Sequence, residues 1–180
     1  LTVLVTYMTL TGNTKKVAEA IYGEIEGEKE IKPMEQVDSL DNYELAFIGF
    51  PTHQSSVPAK AREFIANKAA GKKVALFATH ASWVDPSIPP SADMVRGIQA
   101  RGREAAAGAT LLGYADFRGE LAEDIATKCL SAPDPTVQMF GKLRPMTVGQ
   151  PDDNELARAR AFARATMEKV QRPAVTVQGS

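Results

Sequence analysis

The sequence predicts an α/β protein, a parallel sheet covered by helices on both faces. Two observations carry this. The strongest strand candidates, residues 2–7, 44–50, 72–79 and 109–117, are runs of largely apolar residues rather than alternating ones, as strands buried on both faces require. Helical apolar patterns stand between them. A third observation places a site: a polar turn, TYMTLTGNTKK (6–16), sits where the first strand feeds the first helix, at the strand end where parallel α/β sheets bind ligands.

Taken in order, LTVLV runs into the first strand, and Val17, Ile21 and Ile25 at i, i+4, i+8 predict a helix over 14–25. A short strand is expected near 30–34. SLDNY (39–43) reads as a turn, and ELAFIGF (44–50) as a strand ended by Pro51. SSVPAKAREFIANKAA opens a helix with a serine cap and an early proline, places Ala61, Phe64, Ile65 and Lys68 along it, and Gly71 closes it. KKVALFAT (72–79) is the next strand. After a loop rich in proline and serine, Ser91 is expected to cap a helix carrying Val95, Ile98, Gly102 and Ala105, ended by Gly108. ATLLGYADF (109–117) is the last strand. Asp152 and Asp153 open a final helix, 152–170, with Leu156, Ala159, Phe162, Ala163, Met167 and Val170. The alternation fails over 119–151, where GELAEDIATKCL suggests a short helix and the remainder an irregular excursion. A segment that long in a compact domain is usually functional. Residues 1–172 are expected to form one domain and 173–180 a flexible tail.

Composition narrows the function classes. The 180 residues carry 22 acids and 21 bases, a net charge of −1, so no field points to nucleic acid or a membrane surface. The cluster Glu24, Glu26, Glu28 and Glu30 reads as a solvated helix end. No apolar run approaches the ~18 residues of a membrane span, and no signal peptide is visible. The single cysteine, Cys129, rules out an intramolecular disulfide and reads as a small buried apolar residue. A reducing, cytoplasmic setting is the expectation. Ligand spacing for a metal is missing, as are the G-x-S-x-G elbow, the G-x-x-x-x-G-K-[ST] loop and the G-x-G-x-x-G fingerprint.

The turn itself offers a donor set. A helix amino terminus presents unpaired amides and a partial positive charge. Thr9, Thr11 and Thr14 add hydroxyls, Gly12 permits positive φ, and Asn13 tolerates such geometry. These neutral donors suit a phosphate monoester, although a turn that merely caps a helix would use the same residue types.

Thr9-Leu10-Thr11-Gly12-Asn13-Thr14 matches every specified position of T-x-T-G-N-T, and on it the chain resembles the flavodoxin family. The likeness continues in order through SLDNYELAFIGFPT, VALFATHAS, GYADFRGEL and PDDNELARARAFARATM. The resemblance implies a flavodoxin-like, doubly wound, five-stranded parallel sheet of order 2-1-3-4-5 that binds FMN. Its phosphate would lie in 9–14. Its ring would lie between Pro51-Thr52-His53-Gln54-Ser55-Ser56 and Thr79-His80-Ala81-Ser82-Trp83, with Trp83 a stacking candidate, His53 or His80 flanking the ring or donating to it, and backbone amides of 52–55 and 80–83 at its pyrimidine edge. Lys15 and Lys16 follow the turn, solvated or lending charge to the phosphate. The loop after the third strand has neither Trp nor Tyr, and the near-neutral charge implies docking that depends little on salt.

The resemblance implies an electron carrier working between redox partner proteins, a reductase and an acceptor, with no catalytic side chain. The alternative is an FMN-dependent NAD(P)H:quinone-type oxidoreductase, in which 119–151 walls a pocket or forms a dimer contact and Arg118, Lys142 and Arg144 meet an anionic substrate. A third reading is a binding or regulatory module without flavin.

Overall fold

The computed structural model describes residues 1–52, 56–81 and 89–171. Its strands are β1 Val3–Tyr7, β2 Lys29–Pro33, β3 Leu45–Pro51, β4 Lys73–His80 and β5 Thr110–Arg118. The helices are α1 Asn13–Glu24, α2 Ala59–Lys68, α3 Pro89–Ala105, α4 Glu123–Leu130, α5 Pro135–Lys142 and α6 Asp153–Gln171, with 3-10 turns at Met34–Gln36 and Arg144–Met146. All strand pairs are parallel and the order is β2-β1-β3-β4-β5. This is the 2-1-3-4-5 doubly wound sheet expected above.

Strand alternation splits the core into two layers, which is why the strands read as continuous apolar runs. Leu4, Ile48, Phe50, Val74 and Leu76 face α2 and the end of α3, where Ala61, Phe64, Ile65 and Ala106 are buried. Val3, Val5, Phe47, Phe77 and Phe117 face α1 and α6, against Val17, Ile21, Ala159 and Ala163. Phe162 of α6 meets Phe47 edge-on at 5.9 Å and Phe117 at 6.4 Å. Both faces are therefore sealed, and loops at the carboxyl edge of the sheet are left to bind a ligand. Asp152 caps α6 by accepting from the Glu155 amide at 2.9 Å, as its sequence position predicts.

Four elements differ from the sequence reading. α2 begins at Ala59 behind Pro58 with no side-chain cap, where a serine cap was expected. β4 runs one residue further, so His80 belongs to the strand, opposite Arg118 of β5, rather than to the loop. α3 begins at Pro89, two residues before Ser91. The stretch 131–150 is not irregular: Asp134 accepts from the Thr136 amide at 2.8 Å and Pro135 takes the first helical position, so α5 forms. The expected flexible tail, 173–180, lies outside the described residues. Among the described residues no helix is long and apolar enough to cross a membrane.

Candidate functional site

β1 pairs with β2 on one side and β3 on the other, so the chain reverses its direction of travel across the sheet between β1 and β3. The turns leaving these two strands flank the crevice where such sheets bind ligands. In the first turn the Gly12 amide donates to Thr9 Oγ1 at 3.0 Å, and Gly12 takes φ 93° and precedes α1. A residue with a Cβ is strained there. Asn13 does not share this geometry; it is the first residue of α1.

No side chain caps α1. The threonines therefore do not serve the helix, and the amides of Asn13, Thr14 and Lys15 have no acceptor among the described residues. Thr11 is exposed and Leu10 is 68% exposed. Thr14 is buried, its hydroxyl 2.7 Å from that of Thr79. That bond ties the turn to the end of β4. If Thr79 donates, the Thr14 proton is free to point into the turn. Uncapped amides and uncharged hydroxyls around a glycine suit a phosphate dianion, which accepts and never donates. Lys15 instead reaches Glu19 along the helix at 3.7 Å, and Lys16 is exposed.

Asn13 supplies a link that the sequence does not announce. Its Nδ2 donates to the Glu120 carbonyl at 2.9 Å, joining the turn to the segment after β5. The Gly119 amide donates to the His80 carbonyl at 2.8 Å. Both loop anchors are thus tied to the base of 119–151.

Pro51 ends β3 opposite Thr79. The Thr52 amide donates to the Thr79 carbonyl at 2.8 Å, so it is not a donor for the pyrimidine edge as expected. His80 is also corrected. Its side chain is 3% exposed with Nε2 3.1 Å from Asp116 Oδ2, and the residue stands in β4 rather than in the loop. The cause is the extra β4 residue, which turns the ring toward β5. Ala81 follows, half-buried. His53, Gln54, Ser55, Ser82 and Trp83 lie outside the described residues.

Asp116 accepts from His80 and, at 2.5 Å, from Gln99 of α3. Burial pushes its carboxyl up, but the hydrogen bonds from His80 and Gln99 outweigh it and hold it below the usual carboxylate range. An ionised carboxylate only accepts, so His80 Nε2 carries the proton. Tyr114, two residues earlier, is partly buried, its hydroxyl oxygen shut from solvent with no hydrogen-bond partner among the described residues; burial raises its phenol. Because the Asp116 value is lowered on folding, its stabilisation is complete above the unfolded carboxylate value near ~4 and is lost as pH falls through the folded value. Asp116→Asn is expected to cost about 1.5–3 kcal/mol at pH 7 and much less at a pH well below the usual carboxylate range. Urea titrations of both proteins at the two pH values check this.

The three basic residues thought to meet an anionic substrate are not all brought together. The Arg118 amide donates to Glu155 at 2.9 Å, and its Nε lies 4.0 Å from the same carboxylate. Lys142 and Arg144 line a groove of about 380 Å³ between α4 and α5, with Glu123, Ala126, Leu130 and Pro145. Arg144 leans on Glu120 and Glu123 at 3.5 and 4.0 Å. Cys129 is only partly buried. Among the described residues no group of His, Cys, Asp and Glu is arranged to hold a metal.

Comparison with known proteins agrees with this geometry. The chain is 30% identical over 176 residues to the flavodoxin-like domain-containing protein BilS of Clostridioides difficile (strain CD3), covering 92% of this chain and 96% of that one. Its fold matches that of a flavodoxin from the domain Archaea with a TM-score of 0.56 at 19% identity, covering 96% of this chain and 100% of that one. Oxidised flavodoxin 2 from Bacillus cereus matches with a TM-score of 0.54 at 18% identity, over 94% and 99%. A model of the flavodoxin domain matches residues 4–164, which include the turn at 9–14, β1 from Leu4 onward, the other four strands and most of α6. The chain belongs to the flavodoxin domain family.

Proposed function

We propose that the protein is a cytoplasmic electron carrier that shuttles electrons between a reductase and an acceptor protein through FMN. The observation that carries this reading is the turn at 9–14, whose helix start is left uncapped and whose hydroxyls surround Gly12. Thr9, Thr11, Gly12, Asn13 and Thr14 would hold the phosphate, and Leu10 would lie at its rim. Pro51, Thr52, Thr79, His80 and Ala81 would support the ring through their backbone, with His53, Gln54, Ser55, Ser82 and Trp83 completing the two ring loops.

When bound, FMN supplies the redox chemistry. The protein's part is to hold the phosphate with neutral donors and to set the field around the ring. Adding no positive charge beside a phosphate disfavours further negative charge on the cofactor, which lowers its potential. The one described histidine at this edge is committed to Asp116, so it is not placed to relay a proton to a substrate.

A second reading, an FMN-dependent NAD(P)H:quinone-type oxidoreductase, draws support from the Lys142 and Arg144 groove. Anaerobic absorbance at the flavin band near ~450 nm separates the two. A carrier loaded with FMN keeps that band in NADPH or NADH alone and loses it when a catalytic amount of an NADPH-dependent flavodoxin reductase is added. Bleaching by the nicotinamide alone overturns the carrier reading, and failure to take up FMN overturns both.

A further inference from the structure

The excursion between β5 and α6 is a helical hairpin, α4 packed chiefly on α5, and it joins the domain through a narrow neck. Glu120 stands in that neck with all its polar groups engaged. Its amide donates to the Gln150 carbonyl at 3.1 Å. Its carboxylate accepts from the Gly149 amide at 3.0 Å and from Arg144 Nη2 at 3.5 Å. These bonds tie the outgoing limb of the neck to the returning one. The Glu120 carbonyl reaches the other way, out of the hairpin, and accepts from Asn13 Nδ2 at 2.9 Å.

Asn13 is the first residue of α1, and its own amide is among those left without an acceptor at the turn. Its side chain packs so closely on the buried Gly119 that a Cβ there would overlap the Asn13 amide group. Asn13 Nδ2 also lies 3.4 Å from Thr11 Oγ1. A hydroxyl that accepts from Asn13 turns its own proton elsewhere, toward a ligand in the turn. Asn13 thus reaches both the backbone of the turn and one of its hydroxyls, and Glu120 holds Asn13. Donors fixed before a ligand arrives lose less freedom on binding, which raises affinity without adding a contact.

Charge and positioning make opposite demands on Glu120. By charge alone, a carboxylate close to the turn opposes a phosphate dianion, and removing it would tighten binding. By positioning, removing it loosens the neck, slackens the bond from Asn13 and weakens binding. The Glu120 side chain is 35% exposed, so solvent and salt screen its charge, whereas its hydrogen bonds to the returning limb act at contact.

We infer that Glu120 is a positioning residue for the cofactor: it pins the neck of the hairpin, and so holds Asn13 and, through Asn13, the phosphate donors of the turn at 9–14. This rests on the phosphate reading of that turn.

Isothermal titration of the apoprotein with FMN, paired with thermal melts of the apoprotein, tests it. Glu120→Ala is expected to raise Kd about threefold to thirtyfold. Glu120→Gln keeps an oxygen that accepts from the Gly149 amide and is expected to bind FMN close to the parent. Glu120→Asp keeps the charge but draws the carboxylate back by one methylene. It is expected to weaken binding as alanine does, and it carries the test if the alanine chain does not fold. In an Asn13→Ala background, Glu120→Ala is expected to cost no further affinity, because the link it acts through is gone. Tighter or unchanged binding in Glu120→Ala or Glu120→Asp overturns the inference and leaves the phosphate reading standing, even where Tm falls. An equal loss in both backgrounds overturns it too, as does a glutamine variant that binds no better than the alanine one. A parent chain that takes up no FMN overturns both.

Discussion

Thr11→Val/Thr14→Val is expected to lower FMN affinity about a hundredfold to ten-thousandfold. On the proposed phosphate assignment each substitution would remove one charge-assisted hydrogen bond, worth about 1.5–3 kcal/mol. Valine keeps the shape of threonine, so the turn retains its path. The two positions differ in their effect on stability. Thr11 is exposed, and its loss is expected to affect binding alone. Thr14 is buried against Thr79, so Thr14→Val leaves the Thr79 hydroxyl without its partner, a cost of about 1–3 kcal/mol. Adding Thr79→Val removes the orphan and is expected to recover most of the lost Tm without recovering FMN affinity. Isothermal titration with FMN and thermal melts of the apoprotein measure the two effects separately. Unchanged FMN affinity in the double variant would remove the phosphate assignment.

Gly49→Ala is expected to be the most damaging single methyl that can be added to the sheet. Gly49 lies between Tyr7 of β1 and Phe77 of β4. A Cβ there would overlap the Phe77 ring, which is fully buried and has nowhere to go. Overpacking of this kind costs about 3 kcal/mol or more, a fall in Tm of roughly 6–12 °C for a chain of this size. Phe77→Leu in the same chain vacates ring volume and is expected to restore part of the loss. If Gly49→Ala melts with the parent, the Phe77 ring does not sit over Gly49.

The sheet was readable from sequence because burial on both faces leaves a local mark. LTVLV, ELAFIGF and KKVALFAT are largely apolar rather than alternating, and each contributes to a strand. The end of β4 was harder. His80 and Thr79 are polar by type but buried by position, and only pairing with β5, a contact made far along the chain, keeps His80 in the strand. α5 was missed although Asp134-Pro135 is a recognisable helix start, because the prolines around it read as loop. The turn at 9–14 was legible as a turn into a helix for the opposite reason: its glycine, its threonines and the helix start are contiguous. Its supports were not. Thr79 lies 65 residues from Thr14, and Glu120 lies 107 from Asn13. Asp116 carried one usable signal, a charge inside the apolar run GYADF. A carboxylate in such a strand has a partner, but sequence alone does not say that the partner is His80.

The hairpin enters and leaves the domain at one place. The Glu120 amide donates to the Gln150 carbonyl at 3.1 Å, and the Leu121 amide to Thr147 Oγ1 at 3.0 Å, so the two ends of the excursion are hydrogen-bonded neighbours. Closing so narrow a gap takes only a short turn, and lengthening a loop adds little entropic cost. The sheet therefore places few demands on what is spliced in at that point. The insertion behaves as an interchangeable attachment, free to diverge in length and surface while the five-stranded platform stays the same.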